Sequence, residues 1–445
     1  MQLSDKNECK SITAEEFKNL VEILEIGLPR SIAVGVSGGA DSLALTLLLN
    51  QYCQDHSIRL FVLTVDHGLR EKSKGETKQL SDWLSSWDIE LHILKWIGQK
   101  PIANIQDEAR AARYRLMGQW CKDNEISHLF LAHHMQDQAE TFLIRLFRGS
   151  GVDGLSAMKK NSEFPTAQKS NNFPKVYRPL LGVNKESLEK YLLNINQKWI
   201  EDPSNNNDKF TRVQVRDLLQ NNVIKGFDAA RLSSTAERMQ RVRSFLEEQT
   251  ILALSDYVSY SDFGYASLDL NFQKNLHEEI SLRLLSKVLK TIGGRDYPPR
   301  HKKLKALLNT LKKPKFLGKT LSGVIMFQVS KGCIIFTREP KGIPDEINIT
   351  KLKTYQWDNR FLMEVGEISG KVVPIDESVV KYIVRVIPDI KERFLAIFDH
   401  HQLRDRVLPS LPCIIDDNGK LILPDFLLSE LNGANLDSFS AVFNK

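Results

Sequence analysis

The apolar run 32–36 leads directly into Ser37-Gly38-Gly39-Ala40-Asp41-Ser42, and residues 43–45 are apolar again. This order predicts a buried strand that ends at two glycines and continues into a helix. Glycines let backbone N–H groups approach an anion closely, and the start of a helix carries the positive end of its dipole. The serine hydroxyls add donors, and Asp41 offers a carboxylate to a magnesium ion. The segment therefore predicts a loop that binds phosphate groups.

Residues 1–220 alternate short apolar runs with helical patterns. The apolar runs are 32–36, 59–65, 90–96 and 128–132, and the helical patterns are 40–54, 73–88, 106–124 and 136–148. This alternation predicts an α/β fold, a doubly wound parallel sheet with helices on both faces. Ligands of such sheets bind outside the carboxyl ends of the strands. The loop 37–42, Asp66-His67 and His133-His134 each follow a strand end, so we expect them to line one site.

The length of 445 residues favours about three domains. We expect a catalytic domain at 1–220, a helical domain at 221–320 and a smaller β-rich or mixed domain at 321–445. The polar segment 159–176 is interpreted as an exposed loop. From about 226 the pattern is helical only, with helices near 229–255, 277–291 and 301–312. The basic residues between 295 and 315 favour either a solvated helix face or contact with RNA phosphates.

Composition excludes several classes of protein. The first residues have no apolar signal core and no stretch is long enough to cross a bilayer, so we expect a cytoplasmic protein without membrane contact. The five cysteines are scattered without a C-x-x-C pair, which argues against a disulfide framework, a zinc ribbon or a cysteine-ligated cluster. A net charge of +6 permits a polyanionic partner without requiring one.

Charged residues beyond the loop suggest further parts of the site. Asp66 and His67 border the expected ribose and base, although a turn capped by Asp66 explains them equally well. Arg110 and Arg113 are three apart on a helix, where they either stabilise a leaving pyrophosphate or form surface ion pairs.

A second helix start carries an acidic pair. Asp137 and Glu140 lie side by side, which suits an ammonium group or a magnesium ion, although acidic residues also favour first turns for their dipole. His133 and His134 precede them, and His134 could accept a proton from an attacking amine.

A polar turn that contains Asn205 leads into another helix start. There Arg212 and Arg216 are four apart on one face, a spacing compatible with phosphate contacts.

Together these motifs resemble the tRNA(Ile)-lysidine synthetase family of PP-loop ATP pyrophosphatases. The resemblance rests on S-G-G-A-D-S, V-D-H-G-L-R, Q-x-E-A-R-x-x-R-Y, A-H-H-x-x-D-Q-A-E-T and D-P-S-N…R-x-x-x-R between residues 33 and 216. In the C-terminal part only two short stretches resemble the family, Trp357-Asp358-Asn359-Arg360-Phe361 and Leu403-Arg404-Asp405-Arg406.

The resemblance implies the ATP-dependent joining of L-lysine to C2 of the wobble cytidine in an isoleucine tRNA with a CAU anticodon. Residues 37–42 would hold pyrophosphate, with ATP and Mg²⁺ as cofactors and Asp41 as the metal ligand. Arg110 and Arg113 would stabilise phosphate charge, and Asp137 with Glu140 would hold lysine or metal. One of the two histidines would act as base, and the RNA or phosphate contacts would be Asn205, Arg212 and Arg216. A homodimer is compatible with the family.

Three alternatives share the same loop. A PP-loop tRNA thiolase is disfavoured because paired cysteines are missing, and a glutamine-fed synthetase because no glutaminase module precedes the loop. A non-catalytic ATP-binding module would not need the paired acids and histidines.

Overall fold

The computed structural model describes residues 10–68, 73–97, 105–165, 173–201, 211–220, 227–313, 316–330, 332–386, 401–430 and 437–444. The chain divides into two compact units, Met1–Ser244 and Phe245–Lys445. The three-domain division with boundaries at 220 and 320 stays a prediction.

The first unit is built on a six-stranded sheet with the order β3-β2-β1-β4-β6-β5. Its strands are β1 Ser31–Gly35, β2 Arg59–Asp66, β3 Leu91–Lys95, β4 His128–Phe130, β5 Asn161–Ser162 and β6 Lys175–Tyr177. Neighbouring strands are parallel except for β5, which runs antiparallel to β6. The order places strands on both sides of β1, which confirms the predicted doubly wound sheet.

Helices cover both faces of this sheet. They are α1 Ala14–Glu22, α2 Ala40–Asp55, α3 Ser73–Ser85, α4 Ile105–Asp123, α5 Met135–Phe147, α6 Val152–Leu155, α7 Lys185–Asn194 and α8 Thr211–Gln220. Alternate side chains of a strand point to opposite faces. Accordingly, Ile32 and Val34 of β1 belong to the core beneath α2, whereas Ala33 packs with Met117 of α4 in a separate core.

Helix α2, which begins in the predicted phosphate loop, is deeply buried. Eleven of its sixteen residues are buried. A helix that is apolar on most sides can be accommodated only inside a core. The first turn of α2 includes the end of the predicted loop. The packing of α2 in the core of the unit therefore fixes the position of that part of the loop.

The segment 159–176 was expected to be an exposed loop, and that interpretation is wrong at its two ends. β5 and β6 lie there and extend the sheet beyond β4. Both strands are short, and each forms only by pairing with distant residues, so no local periodicity marks them.

The second unit contains a five-stranded antiparallel sheet with the order β7-β8-β11-β10-β9. Its strands are β7 Val258–Tyr260, β8 Ala266–Asp269, β9 Lys319–Leu321, β10 Val324–Ser330 and β11 Cys333–Arg338. The predicted helices are present as α9 Ala229–Tyr257, which begins in the first unit, α11 Glu278–Gly293 and α12 His301–Leu311, together with the short α10 Phe272–Asn275. The expectation of helices only is wrong, because β7 and β8 interrupt this region. β8 pairs with β11, which lies more than sixty residues further along the chain, and β7 joins the sheet only through β8.

A seven-stranded sheet completes the second unit, in the order β12-β15-β16-β17-β18-β14-β13. Its strands are β12 Ile347–Ile349, β13 Thr354–Trp357, β14 Phe361–Glu364, β15 Gly370–Pro374, β16 Pro412–Asp416, β17 Leu421–Pro424 and β18 Ser438–Phe443. The described residues around it include the helices α13 Glu377–Val386, α14 His401–Val407 and α15 Asp425–Glu430. The predicted β-rich or mixed character of the C-terminal part is confirmed.

Candidate active site

The loop between β1 and α2 is held in shape by its own residues. Ser42 Oγ accepts the Ser37 N–H at 3.1 Å and donates to the Gly39 carbonyl at 3.0 Å. Gly38 has a φ of +86°, and a Cβ at this position would lie 2.7 Å from Ile200 Cδ1. The Ile200 N–H in turn donates to the Gly38 carbonyl at 2.9 Å. Glycine at 38 is therefore required by backbone conformation and by packing.

The start of α2 is open to an anion. Its N-cap is Gly39, which supplies no side-chain acceptor for the N–H groups of the first turn. Unpaired N–H groups at a helix start attract phosphate oxygens. The predicted phosphate loop thus has the backbone geometry that its sequence requires.

A cavity of about 160 Å³ adjoins this loop. Its lining includes Ser37, Gly39, Asp41 and Ser42 from the loop and its helix. Arg113 of α4 and His133, which follows β4, also line it. Residues that are distant in sequence therefore meet where the strand-end rule expects them.

His134 lies between two carboxylates. Its Nε2 is 3.4 Å from Asp41 Oδ2 and 3.5 Å from Asp137 Oδ2. It is also the N-cap of α5, where its Nδ1 accepts the Gln136 N–H and Asp137 accepts the His134 N–H at 3.1 Å. Burial alone would lower the pKa of His134, but the carboxylates of Asp41, Asp137 and Glu140 outweigh it and raise that pKa above its usual value.

His133 has the opposite electrostatic character. Burial lowers the pKa of His133 to about 3, and Asp137 opposes this effect while Arg178, Arg110 and Arg113 add to it. His133 is therefore neutral over the physiological range. His133 lines the cavity and His134 does not, so the imidazole ring at the cavity is the uncharged one.

Three buried polar atoms around the cavity have no hydrogen-bond partner among the described residues. They are Asp41 Oδ1, Arg113 Nε and His133 Nδ1. Buried polar groups are nearly always paired, so three exceptions beside one cavity indicate a ligand. No cluster of three or more potential His, Cys, Asp or Glu metal ligands occurs in the part of the chain that is described. Mg²⁺ usually takes one or two carboxylates and completes its shell with phosphates and water, so Asp41 fits such a site.

Arg110 and Arg113, the two arginines of α4 that the sequence analysis singled out, lie in different places. Arg113 lines the cavity, whereas Arg110 is exposed, lines a neighbouring groove and lies 5.3 Å from the centre of the Tyr114 ring. Their spacing of three residues therefore does not bring both guanidinium groups into the cavity.

Glu140 does not share its surroundings with Asp137. It is almost fully buried and contacts two arginines of α8, with Arg216 Nε 2.9 Å from Oε1 and Arg212 Nε 3.4 Å from Oε2. The pKa of Arg216 is raised because the Glu140 carboxylate outweighs the effect of burial. Arg212 and Arg216 thus face an acid here, and Asn205 lies outside the described residues.

Asp66 and His67 lie at the end of β2 and do not line the cavity. Val65 is the last residue of that strand to contribute to the lining. Asp66 Oδ1 accepts the Gly68 N–H at 2.9 Å. His67 packs edge-on against Trp96, with ring centres 5.8 Å apart. The geometry of Asp66 corresponds to the capped turn that was considered as the alternative.

Comparison with known proteins identifies the family. A family model described as a PP-loop domain matches residues 10–223. A tRNA(Ile)-lysidine synthase from Wolbachia pipientis wMel is 35% identical over 420 residues, which are 93% of this chain and 92% of that protein. The chain belongs to the tRNA(Ile)-lysidine synthase family. Synthases from the Wolbachia of Brugia malayi (strain TRS) and from Ruegeria pomeroyi are 33% and 34% identical and cover 93% and 75% of this chain.

Lysidine synthase is thus the family that the sequence motifs predicted, and that prediction is confirmed. A solved U34-tRNA thiolase from Methanococcus maripaludis is much more distant, with 20% identity and a TM-score of 0.44 over 52% of this chain and 79% of that one. Within the described residues, no helix is both long and apolar enough to span a membrane.

In this lysidine synthase, sequence reasoning missed Arg178 and Ile200. Arg178 follows β6 directly and donates through Nη1 to the Lys159 carbonyl at 3.1 Å and to Ser162 Oγ at 3.0 Å. Recognition of β6 would have marked Arg178 as a residue at a strand end. Ile200 carried no signal, because an apolar residue beside a polar turn has no distinctive pattern.

Proposed function

We propose that this lysidine synthase family member adenylates the C2 carbonyl oxygen of the wobble cytidine in a CAU-anticodon isoleucine tRNA and then replaces AMP with the ε-amine of L-lysine. The observation that carries the proposal is a set of three buried atoms around the 160 Å³ cavity that have no partner among the described residues, Asp41 Oδ1, Arg113 Nε and His133 Nδ1, beside the open start of α2. A carboxylate oxygen, a guanidinium donor and a neutral imidazole together suit a metal-bound triphosphate at the point of cleavage.

In the first step the oxygen on C2 of cytosine attacks the α-phosphorus of ATP, and pyrophosphate leaves. The N–H groups at the start of α2 and the serine hydroxyls of the loop hold the leaving pyrophosphate. Asp41 would hold Mg²⁺, which when bound neutralises phosphate charge. Arg113 reaches the same cavity from α4 and stabilises negative charge that develops on the phosphates.

In the second step the ε-amine of lysine attacks C2 and AMP leaves. Asp137 is the stronger candidate for the ammonium contact, because its side chain is one-fifth exposed while that of Glu140 is 2% exposed and paired with Arg212 and Arg216. Glu140 then acts by holding α8 against α5. Its two arginines can turn to RNA phosphates only by leaving this carboxylate.

His133 is the better candidate for the base. His134 has its Nε2 directed at two carboxylates and its Nδ1 engaged by Gln136, so neither nitrogen is available to an amine. The Nδ1 of His133 is unpartnered among the described residues, and its pKa is lowered mainly by burial, to which the neighbouring arginines add. Phosphates that pair with those arginines would raise the pKa of His133 and make it a stronger base when substrate is bound.

The test is incorporation of radiolabelled lysine into tRNA transcripts in the presence of ATP. A transcript with the CAU anticodon should gain label with one AMP formed per lysine, and a matched transcript with GAU should gain none. AMP formation without label would overturn lysine as the nucleophile. Label in both transcripts would overturn the wobble cytidine as the target.

The thiolase alternative predicts a different result, sulfur transfer without lysine. The four described cysteines, Cys53, Cys121, Cys333 and Cys413, are free, and none of them lines the cavity. The expected homodimer and cytoplasmic location stay predictions that gel filtration and cell fractionation would check.

A further inference from the structure

One buried side chain of the first unit contacts the acids that serve both steps of the proposed reaction. The Nε2 of His134 lies 3.4 Å from Asp41 Oδ2, at the phosphate loop, and 3.5 Å from Asp137 Oδ2, in the first turn of α5. The two carboxylate oxygens are therefore no further apart than the sum of these distances. Carboxylates at such a separation repel each other, and a donor that lies between them offsets the repulsion. We call this pair of contacts the His134 bridge.

The other nitrogen of the His134 ring is held by Gln136. Nδ1 lies 3.2 Å from the Gln136 backbone nitrogen and 3.1 Å from Gln136 Oε1. A neutral ring whose Nδ1 accepts the Gln136 N–H carries its proton on Nε2, and a charged ring carries a proton on both nitrogens. In both forms Nε2 is a donor toward the two carboxylates.

Gln136 is fixed in turn by the start of α7. Its Nε2 donates to Asn184 Oδ1 at 2.6 Å, and its Oε1 accepts the Lys185 N–H at 3.0 Å. Asn184 is the N-cap of α7. Contacts from Asn184 through Gln136 to His134 therefore connect the starts of α7 and α5 with the phosphate loop. Position 136 is unspecified in the motif A-H-H-x-x-D-Q-A-E-T, so the motif gave no signal for these contacts.

A simpler role for His134 is that of an N-cap alone. His277 caps α11 in the same way, because its Nδ1 accepts the Glu279 N–H at 3.2 Å. Capping uses Nδ1 and requires nothing of Nε2. His277 is exposed, whereas His134 is only 6% exposed and directs Nε2 at two carboxylates. The position of Nε2 is therefore what distinguishes His134 from a histidine that only caps a helix.

We propose that His134 is a positioning residue for both steps of the reaction, because its Nε2 holds the Asp41 carboxylate toward ATP and the Asp137 carboxylate toward the lysine ammonium. The inference rests on the proposed function, which assigns those two tasks. Gln136 acts one contact further out, since it fixes the imidazole ring. A group that orients a ligand-binding side chain contributes about ten- to a hundredfold to affinity or activity.

Two substitutions at position 134 separate the bridge from the cap. His134→Asn keeps a good N-cap, but its amide is too short to reach both carboxylates. His134→Gln is one bond longer and places an amide N–H near the position of Nε2, while its value as a cap is lower. The bridge therefore predicts that the Gln variant retains more function, and a role in capping alone predicts that the Asn variant does.

Each variant is measured by two readouts. The first is the rate of isotope exchange between pyrophosphate and ATP with the CAU transcript and without lysine, which reports ATP cleavage. The second is the Kd for lysine, measured by calorimetry without ATP and Mg²⁺. His134→Asn should lower the exchange rate and weaken the Kd by about ten- to a hundredfold each, and His134→Gln should lose less than about tenfold in both.

Two further positions complete the experiment. Gln136→Ala should impair both readouts, by less than His134→Asn does, because the imidazole ring stays but loses its support. His277→Asn and His277→Gln are the matched controls, since they make the same changes at an N-cap without the bridge, and both readouts should be unchanged. Thermal unfolding shows whether each variant is folded.

Three results would overturn the proposal: wild-type values in His134→Asn, a loss confined to one of the two readouts, and an equal loss in the Asn and Gln variants. If His134→Asn does not fold, Gln136→Ala decides, and unchanged readouts in that folded variant would overturn the proposal. A wild type that gives neither isotope exchange nor lysine incorporation would instead refute the proposed function.

Discussion

Each unit of the protein contains a cluster of buried charges, and the two clusters differ in how fully they are paired. In the second unit Asp358 bridges Arg338 and Arg360, with Nε to Oδ2 distances of 2.7 and 2.8 Å. The remaining guanidinium nitrogens of both arginines also have partners, among them the carbonyl oxygens of Gly323, Gly264 and Ser410. In the first unit, by contrast, Asp41, Arg113 and His133 each keep a buried atom without a partner among the described residues.

The contrast shows that pairing distinguishes the two clusters better than burial does. A fully paired buried network fixes the arrangement of the chain around it. An incompletely paired one has its missing partners supplied by a ligand. We therefore interpret the Asp358 network as structural and the Asp41 cluster as functional, and four predictions test that division.

The largest effect is expected for Asp358→Ala. Removal of the carboxylate leaves two arginines buried without a counter-charge, which should cost about 3–5 kcal/mol of unfolding free energy. Chemical denaturation of the full chain, followed by a probe in the second unit, measures this loss. Asp345→Ala, at an exposed position, serves as the control. A loss below about 1 kcal/mol would show that the network does not determine stability.

Asp41→Asn should have the opposite effect to Asp358→Ala, with a large loss of activity and a small change in unfolding free energy. Lysine incorporation and pyrophosphate release should fall about a hundred- to a thousandfold, because the variant loses a charged group that faces the phosphates. The unfolding free energy should change by less than about 1 kcal/mol, since Asp41 is partly exposed and one of its oxygens has no partner in the part of the chain that is described. Asp82→Asn on α3 is the control for charge removal. Loss of tRNA binding in Asp41→Asn would contradict the role in ATP cleavage.

Gly38→Ala should lower the unfolding free energy by a smaller amount, about 1–3 kcal/mol, because a new Cβ at this positive φ would also contact Ile200. Gly68→Ala is a matched control, because Gly68 also has a positive φ but no atom of the described residues lies within 4 Å of a new Cβ. The double variant Gly38→Ala/Ile200→Ala should recover the packing part of the loss. Thermal unfolding of the three variants separates backbone strain from the clash, and equal losses at 38 and 68 would exclude the clash.

The smallest effects are those of pH on the two histidines. The folded pKa of His133 is about 3, so its contribution to stability is present above its unfolded pKa of about 6.5 and is lost as the pH falls toward 3. The folded pKa of His134 is raised, so its contribution is present below about 6.5 and is lost as the pH rises through the folded value. NMR titration of the ring protons should show His134 titrating above its usual range and His133 remaining neutral at pH 5. Identical titration near 6.5 would contradict the electrostatic difference.

The parts of this fold that the sequence predicts are those that short segments determine. The loop 37–42 was predicted because strand, glycines and helix are consecutive, and the strand-end rule then brought His133 into the same site. β5 to β8 were missed because each is only two to four residues long, and because β6 and β8 are held in their sheets by pairing with the distant strands β4 and β11. The pairing of Glu140 with Arg212 and Arg216 depends on the packing of α5 against α8, which no local pattern encodes. Asp358 and Arg360 were noted as a family motif, but Arg338, twenty residues away from Asp358, was not connected with them.

Because α2 is buried along most of its length, the phosphate loop cannot open unless the core around α2 opens as well. Backbone amides in such a helix exchange with solvent only when the whole unit opens. The site should therefore keep its shape as long as the unit is folded, and a ligand would find its anion contacts already formed. A rigid phosphate mimic would lose little affinity to the ordering of this loop, which makes the start of α2 a favourable anchor for an inhibitor.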